Sequence, residues 1–148
     1  MANHDVKAMT AEIDCPVFEH AAFTVPKPLD QCTVALVTTA SQHHPDQADF
    51  TGGDTSYGVL DGVRRDWVRG YWSPNFDASG FAVDPSVVLP LDRLDELAAE
   101  RRIAGVSDVH LSFAGNQFEL STLRMDTGPA AAKLLLDAGV DVVLLTPV

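Results

Sequence analysis

Gly139-Val140-Asp141-Val142-Val143-Leu144-Leu145-Thr146-Pro147-Val148 decides the fold class. A glycine able to stop a helix leads into branched apolar residues, and the sequence closes on Thr-Pro-Val. A continuous apolar run just after a helical segment predicts a central strand of a parallel sheet. In open α/β sheets, ligands bind beyond the carboxyl ends of such strands. The expectation is therefore that a catalytic loop would begin where Val148 stands.

Reading backwards from this run, Ala130 to Ala138 predicts a helix, with Thr127 as its N-cap and Pro129 just inside it. Val109-His110-Leu111-Ser112-Phe113 predicts a strand, closed by the turn Ala114-Gly115-Asn116. Leu91 to Arg102 predicts an amphipathic helix that stops at Gly105, with Leu91, Leu94, Leu97 and Ala98 on one face. Asp92, Asp95 and Glu96 near its start and Arg101 and Arg102 near its end suit the helix dipole. Thr33-Val34-Ala35-Leu36-Val37-Thr38-Thr39 predicts a first strand, apolar on both faces and so buried. Ala40 to Asp46 reads as a polar loop at its carboxyl end, and Asp49 to Gly62 as a long turn-rich loop. Arg64 to Trp72 alternates weakly, as a short strand would.

Alternating helices and strands imply an α/β fold: one domain over 29–148, a mostly parallel sheet flanked by helices in Rossmann-like or flavodoxin-like layering. Residues 1–28, broken by Pro16, Pro26 and Pro28, form an irregular N-terminal arm.

Composition narrows the function. Apolar residues make up 46% of the 148 and charged residues 21%, as in an ordinary globular protein. The net charge of −11, with no dense Lys/Arg cluster, argues against a nucleic-acid partner. No apolar run predicts a membrane span, and Met1 to Glu12 lacks the apolar core of a secretory signal, so the expected location is cytoplasmic. The two cysteines, Cys15 and Cys32, form no Cys-x-x-Cys pair and have no metal-ligand spacing. Cys32 opens an apolar strand and is expected to be buried. No metal or cofactor is implied.

Candidate substrate-binding residues follow from position. Thr38 and Thr39 end the first strand and can bond a ligand or cap the loop amides. His43 and His44 stand with Asp46 in the next loop, and exposed loop histidines are the expectation. One of them as a general acid or base is the functional alternative. Asp54 and Asp77 sit in loops, where each can close an Asx-turn; Asp77 can also hold a substrate ammonium. His110 reads as a satisfied strand histidine, and Ser112 brackets that strand's end. Trp67, Tyr71 and Trp72 read as a packing cluster or an oligomer contact, although a cage of this kind suits a quaternary ammonium.

Several segments, in shared order over 29–148, resemble one family. They are Leu29 to Ala40 with Val34-Ala35-Leu36-Val37-Thr38-Thr39, and Gly53-Asp54-Thr55-Ser56-Tyr57. Phe76-Asp77, Asp84 to Leu94 with Val87-Val88-Leu89-Pro90-Leu91-Asp92-Arg93-Leu94, Ile103-Ala104-Gly105, His110 to Gly115, and Val140 to Pro147 follow. Together they resemble the glycine/sarcosine/betaine reductase selenoprotein B family, including its D-proline reductase branch.

The resemblance implies an oxidoreductase. Such proteins use a selenocysteine or cysteine, in a motif like Sec-x-x-Cys, to cleave a carbon–nitrogen bond reductively. A selenolate is ionised at neutral pH and strongly nucleophilic, and a nearby thiol resolves its adduct by exchange. That motif is expected directly after Val148, so no catalytic residue is expected within the chain. A stop at a selenocysteine codon, a natural non-catalytic relative, and a cysteine pair supplied by another chain all remain open. The family's His-Pro-His-Tyr-Asp stretch is replaced near Trp72-Ser73-Pro74-Asn75-Phe76-Asp77, where both histidines are missing. The leading reading is such a reductase lacking its catalytic loop. The alternatives are a binding or scaffold subunit of a redox complex, and a small-molecule binding protein unconnected with redox. The implied partners are a small-molecule substrate, a redox partner subunit and a second copy of the chain.

Overall fold

The computed structural model describes residues 22–70, 83–117 and 119–147, together with 8, 11–12, 17–20 and 80. The expectations placed on Cys15, Tyr71, Trp72, Asp77 and Val148 lie outside these residues.

Among the described residues, a sheet is layered between two helices. β1 (Thr33–Thr38) lies at its centre. On one side β1 pairs in parallel with β5 (Gly105–Val106) and then β6 (Val109–Phe113). On the other it pairs in parallel along residues 34–38 with β7 (Val142–Thr146). β3 (Tyr57–Asp61) adds an antiparallel strand beyond β6. A small separate ladder joins β2 (Gln42–His43) to β4 (Val68–Arg69).

The two faces of β1 explain the layers. Val34 and Leu36 pack with Leu91 and Leu94 of α1 (Leu91–Ala99). Ala35, with Leu111, packs with Ala131 and Leu135 of α2 (Gly128–Asp137). The crossover from β1 to β6 and the return from β6 to β7 run in opposite directions across the sheet. A single handedness for both therefore puts their helices on opposite faces. The strand order β6–β1–β7 is the flavodoxin-like one, and its order reverses between β1 and β7. The mostly parallel α/β fold is as expected.

Four local expectations need correction. Among the described residues the Val140–Leu145 run forms an edge strand, not a central one: β7 pairs there with β1 alone, and Val143, Leu144 and Leu145 are exposed. Its hydrophobicity matched that of a strand buried on both sides, but nothing described covers its outer side. The loop expected over Asp49 to Gly62 contains β3, which Gly58 had disguised. A Cβ at Gly58 would approach the Phe50 ring to 3.3 Å, so a small residue is favoured in this strand. α1 ends at Ala99, where Arg101 takes a left-handed φ of 59°, and Gly105 opens β5 instead of stopping the helix. Thr127 has helical backbone angles and no capping hydrogen bond, because a π-turn over Leu123–Thr127 leads into α2. Gly139 does end that segment, with φ 74°.

Candidate functional site

The carboxyl ends of β1 and β7 meet through hydrogen bonds. The Thr38 hydroxyl donates to the Thr146 carbonyl (3.2 Å) and accepts from the Ala40 amide (3.2 Å). The Thr39 amide donates to the same Thr146 carbonyl at 3.4 Å. The Thr146 hydroxyl donates to the Val88 carbonyl at 2.7 Å, tying the end of β7 to the approach to α1. Thr38 is in register with Thr146 on one side and with Ser112 on the other. Partners in register share a face, so three hydroxyls stand side by side across the sheet on its α1 face. Ser112 is fully buried and its hydroxyl has no partner. Of the candidates read from sequence, Thr38, Thr39 and Ser112 are thus brought together.

Ser41 turns the chain out of β1. It is buried with a left-handed φ of 55°, held by its amide on the Phe113 carbonyl (3.0 Å) and its carbonyl under the Gly70 amide (2.7 Å). Such a conformation costs a non-glycine residue about 1–3 kcal/mol and persists where its surroundings impose it. Gly70 is required here, because a Cβ would come within 2.7 Å of the His43 ring and 2.8 Å of the Ser41 carbonyl.

His43 and His44 are buried, contrary to the exposed positions expected. β2 pairs with β4, which folds this segment inward. His44 accepts the Asp61 amide at Nε2 (3.0 Å), so Nδ1 carries the proton and donates to Asp66 (2.8 Å). Both nitrogens are occupied, which makes His44 a structural residue. The Arg64 guanidinium bonded to Asp66 lowers that carboxyl to about 2. His43 Nδ1 lies 2.8 Å from the His44 carbonyl, while its Nε2 is 2.9 Å from Asp49 but poorly aligned for a hydrogen bond.

His43 and Asp54 line a separate hollow of about 270 Å³, with Phe50 and Tyr57. Asp54 closes an Asx-turn onto the Ser56 amide (2.8 Å), and its bonds to Ser56 lower its carboxyl. Asp77, expected nearby, lies outside the described residues. His110 is fully buried, accepts the Leu36 amide at Nδ1 (2.9 Å), and burial pushes its pKa down to about 4. Cys32 is buried at the opposite, amino end of β1, with its thiol directed to the Lys27 and Pro28 carbonyls. That is roughly 20 Å from the crevice at the strand rise of an extended chain. Sequence reasoning missed Gln42, which is fully buried with both amide atoms unpaired; its side chain gives no sequence signal of burial. Among the described residues, no cluster of three or more His, Cys, Asp or Glu could hold a metal, and no helix is long and apolar enough to cross a membrane.

A model of glycine/sarcosine/betaine reductase selenoprotein B matches residues 3–148. The D-proline reductase subunit gamma of Acetoanaerobium sticklandii is 32% identical over 143 residues, covering 95% of this chain and 59% of that protein. The chain thus spans somewhat over half of that relative's length. No solved structure matches. With the family model covering nearly the whole sequence, the chain belongs to the glycine/sarcosine/betaine reductase selenoprotein B family.

Proposed function

We propose that the chain forms the α/β body of a reductase subunit that cleaves a carbon–nitrogen bond in a small amino-acid or betaine-like substrate. The observation that carries this reading is the junction of β1 and β7, where Thr38 and Thr39 both bond the Thr146 carbonyl at the point of strand reversal. Crevices of that kind are where open α/β sheets bind ligands.

In this reading the attacking group is a selenolate or thiolate. Attack on carbon forms a carbon–chalcogen bond and releases the amine with a proton. A thiol then attacks the chalcogen, the carbon takes up a proton, and a chalcogen–sulfur bond remains. A dithiol reduces that bond, so two electrons and two protons are consumed in all. Thr38, Thr39 and Ser112 are the groups proposed to position the substrate and Asp77 the one proposed to hold its nitrogen, while His43 and Asp54 line a separate hollow. A redox partner subunit, a cytoplasmic location and self-association along the open edge of β7 complete the proposal.

The test isolates the complex assembled around the tagged full-length protein. Dithiol-dependent ring opening of D-proline, or amine release from glycine betaine, that iodoacetate abolishes after reduction supports the reading. A complex that binds these compounds but reduces neither would establish a scaffold role instead. Sedimentation velocity checks self-association: Leu145→Glu is expected to shift a dimer toward monomer, and an unchanged distribution contradicts a β7 contact.

A further inference from the structure

Beside β3, at the far edge of the sheet from β7, lies the hollow of about 270 Å³ lined by His43, Asp49, Phe50, Asp54, Ser56 and Tyr57. Three strand spacings, roughly 14 Å, separate β3 from β7. The hollow is distinct from the cavity of about 400 Å³ that Gln42, Trp67 and Leu89 line beside the junction of β1 and β7. Leu89 follows Val88, whose carbonyl takes the Thr146 hydroxyl.

One ring in the wall of the hollow has an unused nitrogen. His43 is only 3% exposed. Its Nδ1 lies 2.8 Å from the His44 carbonyl, which only accepts, so Nδ1 carries the proton and Nε2 a lone pair. That Nε2 is buried without a hydrogen-bond partner. The Asp49 carboxylate stands 2.9 Å from it, out of line for a hydrogen bond. Two acceptors therefore face each other with no donor between them. Buried polar groups are ordinarily satisfied, so this pair points to a donor supplied from outside.

The rest of the wall is held in place and acidic. Asp54 is fixed by its Asx-turn onto the Ser56 amide (2.8 Å) and by the Gln117 side-chain amide on its backbone carbonyl (2.7 Å). Its bonds to Ser56 hold its carboxyl below the usual carboxylate range. The Tyr57 ring is braced by that of Phe113, 5.7 Å away. The Gln47 side chain is spent on the His44 amide and the Val59 carbonyl, at 2.8 Å each. Among the described residues, no lysine or arginine stands in this wall to neutralise its two carboxylates.

We propose that the hollow receives an arginine side chain from a partner protein that presents a basic surface. A guanidinium holds its N–H groups in a planar fork that serves two adjacent acceptors, and His43 Nε2 with the Asp49 carboxylate is such a pair. Asp54 adds a second negative charge, and Phe50 and Tyr57 supply aromatic surface for the guanidinium plane. An ammonium is a point charge and matches the pair less well. The volume suits a single side chain, because pockets for free ligands run from about 300 to 1,000 Å³. Arginines seated in pockets are frequent anchors of protein interfaces. The net charge of −11 draws a basic partner toward this chain. The contact goes beyond the reductive reading and does not depend on it.

The test has two arms. In the first, the 148-residue chain is titrated with N-acetyl-arginine methylamide and with its lysine and citrulline analogues, followed by nuclear magnetic resonance. Saturable shifts at His43, Asp54 and Tyr57 are expected for the arginine compound, with the uncharged citrulline analogue about tenfold weaker and the lysine analogue in between. Asp49→Asn and His43→Leu should each lose about tenfold, while His43→Gln, which keeps an acceptor near the Nε2 position, should lose less. The Asp49 side chain is 78% exposed, so Asp49→Asn keeps the fold even where His43→Leu does not. In the second arm, the complex is isolated around the tagged full-length protein. Asp49→Lys should release a partner that the wild type retains, and Leu145→Glu, at the opposite edge, should leave that partner bound. Arginine binding no tighter than that of either analogue, or unchanged in Asp49→Asn, would overturn the proposal. So would a complex of unchanged composition in Asp49→Lys; with arginine binding intact, that result would give the hollow to a free guanidinium compound.

Discussion

At the scale of single residues, the structure spends stability on polar groups it leaves unpaired. Gln42 is the clearest case: its buried amide has no partner. Leucine has nearly the same shape and no polar atoms, so Gln42→Leu should raise stability by about 1–3 kcal/mol, read from urea unfolding. A loss of that size would show instead that the amide is bonded in solution. His110 makes a second prediction. Burial pushes it down to about 4, an effect deepened by Arg65 and opposed by Asp95, Asp108 and Asp61. Its folded pKa lies below the unfolded value near 6.5, so between these values the unfolded chain binds more protons. Stability should therefore fall by up to about 3 kcal/mol as pH is lowered from 6.5 to 4. Asparagine offers an oxygen where Nδ1 accepts the Leu36 amide, so His110→Asn should flatten this slope; an unchanged slope would assign it to other groups. Gln42, His43 and His44 were read as a polar loop because only the pairing of β2 with β4 turns them inward, whereas His110 was read as a strand histidine and lies buried in β6.

At the scale of elements, runs of apolar residues identified β1 and β6, helical spacing identified α1, and Pro129 with the Gly139 stop identified α2. Where the structure departed, the cause was local. Gly58 hid β3 among turn residues, and the π-turn over Leu123–Thr127 removed the cap expected of Thr127. The apolar run of β7 gave its parallel pairing but not its place at the edge, because composition does not say how many sides acquire neighbours. The end of β7 is pinned by one side chain. The Thr146 hydroxyl lies 2.7 Å from the Val88 carbonyl and 3.4 Å from that of Val37. Thr146→Val should cost about 1–2 kcal/mol and raise amide exchange at the carboxyl ends of β1 and β7 first. Uniform exchange across the sheet would mean that this bond does not hold the junction. Gly70→Ala should cost more, since the new methyl meets the His43 ring and the Ser41 carbonyl, neither of which has room to retreat.

At the scale of the whole molecule, hydroxyl and amide side chains gather at the carboxyl end of the sheet. The hydroxyls of Thr38, Ser112 and Thr146 lie in register there, the chain turns at Ser41, and the Gln42 cavity adjoins them. The amino end of β1 holds Cys32 instead, with its thiol turned to backbone carbonyls. This asymmetry was partly legible, because parallel strands joined by helices put their carboxyl ends together and Thr38, Thr39 and Ser112 could be assigned to those ends. Asp54 was not separable from them by sequence; the chain folds it into an Asx-turn beside another hollow. The central claim is that ligand chemistry belongs to the carboxyl ends of β1 and β7. Amide and threonine-methyl chemical shifts of the chain, recorded through a titration with D-proline, test it most directly. Perturbations should concentrate on Thr38, Thr39, Gln42, Trp67 and Thr146. Perturbations confined to Cys32, Gly105 and the other amino-end residues, or to the exposed face of α2, would contradict it.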